Sequence, residues 1–224
     1  EGRDGILIKL KLVPLDIYAL VKSELFDKHT VVCTSATLSV VNKFSFFKGQ
    51  IGLSDDCLEL VVDSPFDFKK NCLVYISDGS YQTIYEKAEE LEKLLSYSQG
   101  RAFVLFTSYK AMRKMYDLVR ITYPKLVQDV GVSRGKLLEE FRNTPNAVLF
   151  ATKSFWEGVD VQGETLSLVV IDKIPLENPK DLVYSSKCER IDNKYGGRKS
   201  FIYYSIPDMC IKLKQGVGRL IRSK

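Results

Sequence analysis

The chain has 224 residues, of which 45% are hydrophobic and 27% are charged, a balance typical of a globular protein with one large core. No apolar run approaches the roughly 18 residues of a membrane span, and no charged and then apolar leader begins the sequence, so we expect a cytoplasmic protein with no membrane partner. A formal net charge of +5 permits nucleic-acid binding without requiring it.

Alternating apolar runs and helical patterns predict the elements in chain order. Strands are predicted at residues 29–38, 58–66, 71–77, 101–108, 146–152 and 166–174. Between them, buried helical stripes are predicted from Ile84, Ala88, Leu91 and Leu95, and from Met112, Met115 or Tyr116, and Val119. Ser108 and Ser133 are predicted helix N-caps. Apolar strands separated by helices predict an α/β fold, with a mostly parallel sheet covered by helices on both faces.

Scattered cysteines and a single histidine argue against a metal site in this chain. The cysteines are Cys33, Cys57, Cys72, Cys188 and Cys210, with no C-x-x-C pair among them. We expect no metal ligands, with the cysteines acting as small buried hydrophobes and His29 lying in a loop before a strand.

A two-faced helix is predicted near the end of the chain, over residues 207–222. Gln215, Arg219 and Arg222 share one stripe at helical spacing, opposite an apolar face. Ser205 is its predicted N-cap, and Asp208 would complete a capping box. The apolar face comprises Cys210, Leu213, Val217, Leu220 and Ile221.

Two glycines inside this predicted helix bear on the role of its arginines. Gly216 and Gly218 would each cost about 1 kcal/mol there, which indicates close approach of a ligand to the backbone. Two guanidiniums one turn apart suit a phosphate, because each presents a planar fork of donors and stays charged. The alternative is that the arginines are only solvated surface.

Polar residues follow several predicted strands, where parallel sheets bind their ligands. These segments are residues 34–37, 107–108 and 152–160. In the last of them, Glu157 and Asp160 flank Gly158, a pattern that on its own also describes a plain turn. Trp156 has a core anchor as its alternative role.

Five short segments, in this order, resemble motifs of superfamily-two helicases, and among those the DinG and XPD branch. They are TSATL at 34–38, SPF at 64–66, VLFTSYKAM at 104–112, SFWEGVDVQG at 154–163 and QGVGRLIR at 215–222. The SFWEGVD form is most similar to bacterial DinG proteins, and the likeness covers essentially the whole chain. The resemblance implies a RecA-like fold, that of helicase motor domain 2.

The resemblance also implies roles for the last two motifs. Arg219 and Arg222 would reach across a cleft to ATP, with Gln215 orienting them, and Gly218 would allow close approach of the nucleotide. An arginine finger is commonly worth about 10³–10⁵ in rate. Gly158 would allow close approach to the backbone, and the carboxylates of Glu157 and Asp160 would contact ribose, the arginines or a bridging water. Lys153, Ser154 and Trp156 would lie beside the nucleotide or DNA.

The earlier motifs would serve nucleic-acid binding. The likeness implies that Thr107 and Ser108 hold backbone phosphates of a single strand. Thr34, Ser35 and Thr37 would couple nucleotide state to DNA binding, although a polar strand end before a small helix is the structural alternative.

No phosphate-binding G-x-x-x-x-G-K-[ST] loop and no D-E-x-H sequence occurs. We therefore expect a fragment: residues 1–40 would be the tail of motor domain 1 and residues 41–224 motor domain 2. ATP and Mg²⁺ would be held mainly by the rest of motor domain 1, so the chain alone should be inactive. An iron–sulfur cluster would involve only upstream residues.

The predicted function is thus one half of an ATP-dependent DNA helicase that contacts single-stranded DNA. The resemblance implies 5′ to 3′ movement and a role in DNA repair or replication, at the nucleoid if the source is bacterial. The alternatives are a single-stranded nucleic-acid-binding module without motor activity and part of a DinG-like exonuclease with a degenerate motor.

Overall fold

The computed structural model describes residues 12–129, 131–155, 165–218 and 220. They fall into two compact units: the first lies within residues 1–61 and 176–207, and the second within 62–175 and 208–224. The strands are β1 Ala102–Leu105, β2 Lys125–Val127, β3 Val148–Ala151 and β4 Leu168–Ile171. The α-helices are α1 Tyr18–Val21, α2 Ser45–Ile51, α3 Phe68–Asn71, α4 Ile84–Tyr97, α5 Tyr109–Leu118, α6 Arg134–Asn143, α7 Leu182–Tyr195 and α8 Ile206–Val217.

The second unit is built on a parallel four-stranded sheet with the order β2-β3-β1-β4. Leu105 at the end of β1 lies opposite Ala151 of β3 on one side and Ile171 of β4 on the other. The three predicted strands that contain β1, β3 and β4 are confirmed. Strand β2 was not predicted, because its three residues are too few to show a period.

Alternate side chains of the central strands enter two cores, one on each face of the sheet. Phe103 and Leu105 pack with α6 on one face. Ala102 and Val104 pack with α4 and α5 on the other face. Helices therefore cover both faces, as the near-continuous apolar strands predicted. The predicted stripes of α4 and α5 are confirmed by the burial of Ala88, Leu91, Leu95, Met112, Met115 and Val119.

Two predicted N-caps are confirmed. The Ser108 hydroxyl accepts from the backbone N–H of Ala111 at 3.2 Å, and the Ser133 hydroxyl accepts from that of Lys136 at 3.3 Å. Each serine fixes the point at which the chain leaves a strand or loop and enters a helix.

Three predicted strands do not form in the part of the chain that the structure describes. Segments 29–38, 58–66 and 71–77 pair with no other strand there, and Val32, Leu58 and Leu73 are 86%, 102% and 94% exposed. Their β-branched composition favours an extended backbone, but a strand also needs a neighbour to satisfy its N–H and C=O groups.

The C-terminal helix differs from its predicted form at both ends. A π-helical turn, Phe201–Ser205, leads directly into α8, so Ser205 does not cap it, and its hydroxyl lies 2.5 Å from that of Tyr184. Asp208 pairs with Lys212 instead of completing a capping box. The helix ends at Val217, so Gly218 follows it, and a helix through residue 222 was wrong because glycine favours termination.

The first unit contains α1, α2, α7 and two π-helical turns, Lys22–Phe26 and Phe201–Ser205. The turn that ends α2 requires glycine: Gly52 has φ +74°, and a Cβ there would lie 2.6 Å from the Tyr18 carbonyl oxygen. His29 is exposed in a loop, as predicted.

The prediction of buried cysteines is wrong, because Cys33 is exposed and the other four are half-buried. Cys33 lies in one of the unpaired segments, which explains its exposure. No helix in the described ranges has the length and apolar character needed to cross a bilayer.

Candidate functional site at the carboxyl edge of the sheet

All four strands of the second unit end at one edge, because they are parallel. Polar residues follow each strand there. They are Thr107 and Ser108 after β1, Gln128 and Asp129 after β2, Thr152 to Ser154 after β3, and Asp172 after β4. This edge is where open α/β sheets bind their ligands.

The Gln128 amide joins three strand ends. Its Oε1 accepts from the backbone N–H and the hydroxyl of Thr152, both at 2.8 Å. Its Nε2 donates to the Tyr109 hydroxyl at 2.6 Å and to the Ser154 hydroxyl at 3.0 Å. We call Gln128, Tyr109, Thr152 and Ser154 the Gln128 network. It fixes the segment after β1 against the segment after β3.

The hydroxyls around this network face solvent. Thr107, Ser108 and Ser154 are exposed, whereas Thr152 is buried. Ser108 also begins α5, whose first N–H groups carry the positive end of the helix dipole. Exposed hydroxyls beside a helix N-terminus suit an anion such as a backbone phosphate.

A charged pair lies beside the network. An Arg113 guanidinium nitrogen is 2.6 Å from Asp129 Oδ2, and both side chains are more than a third exposed. The Asp129 carboxylate, through this hydrogen bond, raises the pKa of Arg113. Arg113 is therefore held at the edge as a permanent cation, already engaged by one carboxylate.

A buried carboxylate follows β4. Lys87 Nζ donates to Asp172 Oδ1 at 2.5 Å and to the Asp172 backbone carbonyl at 3.3 Å. The Asp172 side chain is only 6% exposed, and its Oδ2 has no hydrogen-bond partner among the described residues. A desolvated oxygen of this kind is a strong acceptor for a further donor.

Gln215 presents a similar acceptor. Its side chain lies on α8, where Leu213 packs against the core of the second unit. Within the described ranges, Gln215 Oε1 is buried without a hydrogen-bond partner. The neighbouring Gly216 is buried as well. The helix thus fixes a polar atom that the described residues leave unsatisfied.

The predicted site residues divide into four groups, of which the first, Gln215 and Gly218, lies on and directly after α8. The Gln128 network brings Ser154 close to the segment of Thr107 and Ser108. Lys153 lies in a 3₁₀ turn, Lys153–Phe155, just after β3. Thr34, Ser35 and Thr37 belong to the first unit, where the Ser35 hydroxyl accepts from the Thr37 N–H at 3.2 Å. Outside the described residues lie Arg219, Arg222, Trp156, Glu157, Gly158 and Asp160.

Among the residues of this edge, those missed from the sequence are Tyr109, Gln128, Asp172 and the pair of Arg113 and Asp129. Asp172 and Gln128 directly follow apolar runs, LVVI and KLV, and this position could have marked them. Their hydrogen bonds could not have been foreseen, because they join residues 24 and 85 positions apart.

A parallel sheet with helices on both faces and polar strand ends is the architecture of an α/β domain and agrees with a RecA-like fold. Residues 91–224 match the helicase C-terminal domain family, and the chain belongs to that family. It is 38% identical to the ATP-dependent DNA helicase YoaA of Escherichia coli over 95% of this chain and 34% of the relative. It is 33% identical to the ATP-dependent helicase DinG of Mycobacterium tuberculosis, over 99% of this chain and 34% of the relative.

A third relative carries a different activity in its name. The 3′-5′ exonuclease DinG of Bacillus subtilis is 32% identical over 94% of this chain and 24% of the relative. The chain therefore spans a quarter to a third of the length of these curated relatives.

Proposed function

We propose that this chain is the second motor domain of an ATP-dependent DNA helicase. It would supply one side of an interdomain ATP site and part of the track for single-stranded DNA. The observation that carries the proposal is the Gln128 network, because it joins Tyr109 to Ser154 at one edge of the sheet, and these two residues belong to two of the segments that resemble helicase motifs. Family membership and the names of the relatives support it.

The DNA track would run over the exposed hydroxyls of this edge. Thr107, Ser108 and Ser154 would bind backbone phosphates together with the N–H groups that begin α5, and Lys153 would add charge. Such contacts read no base sequence, which suits a motor that moves along any strand. Trp156 would stack beside this path.

The last two motifs would form one side of a nucleotide site. Gln215 keeps a buried oxygen without a partner among the described residues, as a residue that orients a neighbouring donor would. Arg219 and Arg222 would neutralise charge on the γ-phosphate, and Glu157, Gly158, Asp160 and Gly218 would line the nucleotide. ATP, bound with Mg²⁺ mainly by motor domain 1, would supply the free energy of hydrolysis.

The proposal also covers the coupling of ATP to DNA binding, the direction of movement and the cellular role. Thr34, Ser35 and Thr37 would link nucleotide state to DNA binding, in a segment that would belong to motor domain 1. We propose 5′ to 3′ movement, a role in DNA repair or replication and a cytoplasmic location. Any iron–sulfur cluster would be held by residues upstream of this chain.

The name of the Bacillus subtilis relative favours a second candidate function. In that case the chain would belong to an exonuclease whose motor is degenerate, and it would bind DNA without coupling to ATP. A DNA-stimulated ATPase assay separates the two, since only the motor hydrolyses ATP in response to DNA.

The test uses the full-length protein with Arg219→Ala or Arg222→Ala. Loss of an arginine finger should lower kcat for DNA-stimulated ATP hydrolysis by about 10³-fold or more, with affinity for single-stranded DNA retained. Arg120→Ala is the matched control, because Arg120 is an exposed arginine of the second unit. Near-normal ATPase in both test variants would refute the arginine roles. DNA binding without any ATPase in the unaltered protein would favour the second candidate.

A further inference from the structure

A groove in the first unit is lined by none of the residues that the proposal assigns to the ATP site. Its volume is 630 Å³, within the range of about 300–1,000 Å³ usual for ligand sites. Helix α7 forms one wall and the π-helical turn before α8 forms another. Half of its lining residues are either aromatic or cationic: Tyr18, Phe46, Tyr195, Tyr203, Tyr204, Lys187, Arg190 and Lys194.

The cations lie along one side of α7. Lys187, Arg190 and Lys194 follow each other at spacings of three and four residues, which places them on one face of the helix. Arg190 is paired with Asp16, which also lines the groove. Lys187 and Lys194 contact no carboxylate in the described part of the chain, and each amine lies over a tyrosine ring instead.

The aromatic side chains form two adjoining pairs. The ring centroids of Tyr195 and Tyr203 are 5.1 Å apart, and those of Tyr184 and Tyr204 are 5.7 Å apart. Tyr195 and Tyr203 are 54% and 51% exposed, so a good part of their ring surface faces solvent. Exposed rings between cations are the pattern of surfaces that stack unpaired bases.

The loop after α7 continues the charge. Residues 194–199 read KYGGRK, and both glycines have positive φ, +74° and +72°, with open space where a Cβ would lie. Asp192 closes the loop by accepting from the N–H and the hydroxyl of Ser200 at 2.7 and 2.9 Å. The Asp192 carboxylate therefore accepts hydrogen bonds from Ser200 of the loop. The loop cations Lys194, Arg198 and Lys199 are exposed.

We propose that this groove and loop bind single-stranded nucleic acid, with bases stacked on Tyr195 and Tyr203. The lysines at 187 and 194 and the loop cations would contact phosphates. Residues 187–199 carry five cations against two carboxylates, so an anionic polymer is the complementary partner. The choice of a nucleic acid over an acidic peptide rests on the tyrosine rings and on the proposed helicase function.

The test measures binding of a fluorescent oligo(dT) to the full-length protein over a range of salt concentrations. Tyr195→Leu with Tyr203→Leu keeps apolar volume but removes the rings, and should weaken binding about 5-fold or more. Lys187→Gln with Lys194→Gln should lower the slope of log K against log salt by about 0.7 for each lysine that contacts a phosphate. Lys93→Gln with Tyr97→Leu, exposed on α4 of the second unit, is the matched control.

ATPase assays on the same proteins separate this proposal from the helicase proposal. The tyrosine variant should need more oligo(dT) for half-maximal ATPase, by the same factor as its loss of affinity, and should reach an unchanged rate at saturation. Affinity within about 2-fold of the control variant, together with an unchanged salt slope, would overturn the groove proposal and leave the motor proposal standing. Absence of DNA-stimulated ATPase in the unaltered protein would refute the motor alone.

A second measurement needs no substitution, so it does not depend on the variants folding. Photocrosslinking with an oligonucleotide that carries 5-iododeoxyuridine should give adducts at Tyr195 or Tyr203, identified by mass spectrometry. Adducts only elsewhere would overturn the proposal. Equal displacement of the oligonucleotide from the groove by polyglutamate of matched charge would also overturn it, because the rings would then add nothing to binding.

Discussion

The two units use apolar residues in opposite ways. In the second unit, Phe103, Leu105 and Leu149 are fully buried in the cores of a parallel sheet. Every buried apolar residue of the described ranges belongs to that unit, whereas the buried positions of the first unit are Ser200 and Ser205. The second unit therefore holds its candidate site on a packed scaffold, and the first unit offers an open surface.

The difference in burial comes from the pairing of strands and not from amino-acid composition. Segment 29–38 is as rich in β-branched residues as segment 146–152, yet Val32 is 86% exposed and Val148 is fully buried. Strand β3 lies between two neighbours, while segment 29–38 pairs with none in the described structure. The apolar side chains of an extended segment enter a core only where backbone hydrogen bonds hold it beside other strands.

Glycine substitutions should have the largest effects on the contrast between a packed second unit and an open first unit. In Gly100→Ala the new Cβ would lie 2.0 Å from the Asn146 carbonyl oxygen, at φ +73°. Backbone strain and overlap should together lower the free energy of unfolding of the sheet by about 2–5 kcal/mol, measured by urea denaturation with circular dichroism. Gly79→Ala, at φ +74° with open space, should cost only the strain, about 1–2 kcal/mol.

Gly52→Ala makes the corresponding change in the first unit, with a Cβ 2.6 Å from the Tyr18 carbonyl oxygen. It should speed hydrogen exchange in α1 and α2 and leave the unfolding midpoint of the sheet unchanged. An equal loss of stability in the sheet from Gly52→Ala and Gly100→Ala would show that the two units unfold together, and would contradict the contrast.

A smaller effect is expected from the Gln128 network. Gln128→Leu removes the acceptor for the buried Thr152 N–H and hydroxyl, and should lower the free energy of unfolding by about 1–3 kcal/mol. Gln128→Glu is the control, since a carboxylate can still accept from Thr152 and from the hydroxyls of Tyr109 and Ser154. Equal destabilisation by the two substitutions would mean that the network does not depend on that acceptor.

Much of the second unit was predictable because its signals are local. Strands β1, β3 and β4, the buried stripe of α4 and the caps of α5 and α6 each depend on residues within about one helix length. Strand β2 was missed because its three residues are too few to show a period. The end of α8 was missed because a glycine such as Gly218 can lie inside a helix or end it, depending on the residues around it. The boundary proposed at residue 40 stays a prediction.

The candidate site was less predictable than the fold. Thr107, Ser108 and Ser154 could be chosen because each follows an apolar run. Gln128 and Asp172 follow apolar runs as well, but their hydrogen bonds to Thr152 and Lys87 could not be foreseen, because these partners are distant in sequence. Roles for the residues at 157, 158, 160, 219 and 222 stay predictions, since these positions lie outside the described residues.

The smallest expected effect concerns segment 71–77 of the second unit, which pairs with no strand in the described structure. A side-chain hydrogen bond could hold this segment in place of backbone pairing. Tyr75 donates to Glu90 on α4 at 2.6 Å, and this bond raises the pKa of Tyr75 to about 12 and lowers that of Glu90. A raised pKa means that the folded state keeps the tyrosine proton longer. The contribution of the pair to stability is therefore full between about pH 4.5 and pH 10, the ordinary pKa values of glutamate and tyrosine. It is lost as pH rises through about 12, where Tyr75 loses its proton, and as pH falls through the lowered pKa of Glu90.

Glu90→Gln should return the Tyr75 pKa toward about 10, because the carboxylate no longer disfavours the phenolate. The measurement is an NMR titration of ζ-carbon-labelled tyrosine, with Tyr75→Phe to assign the resonance. Glu89→Gln is the matched control, since Glu89 is an exposed neighbour on the same helix. A Tyr75 pKa that is the same in the Glu90→Gln variant and in the unaltered protein would show that segment 71–77 is not held by this bond, and that its exposed apolar residues lack even a side-chain anchor to α4.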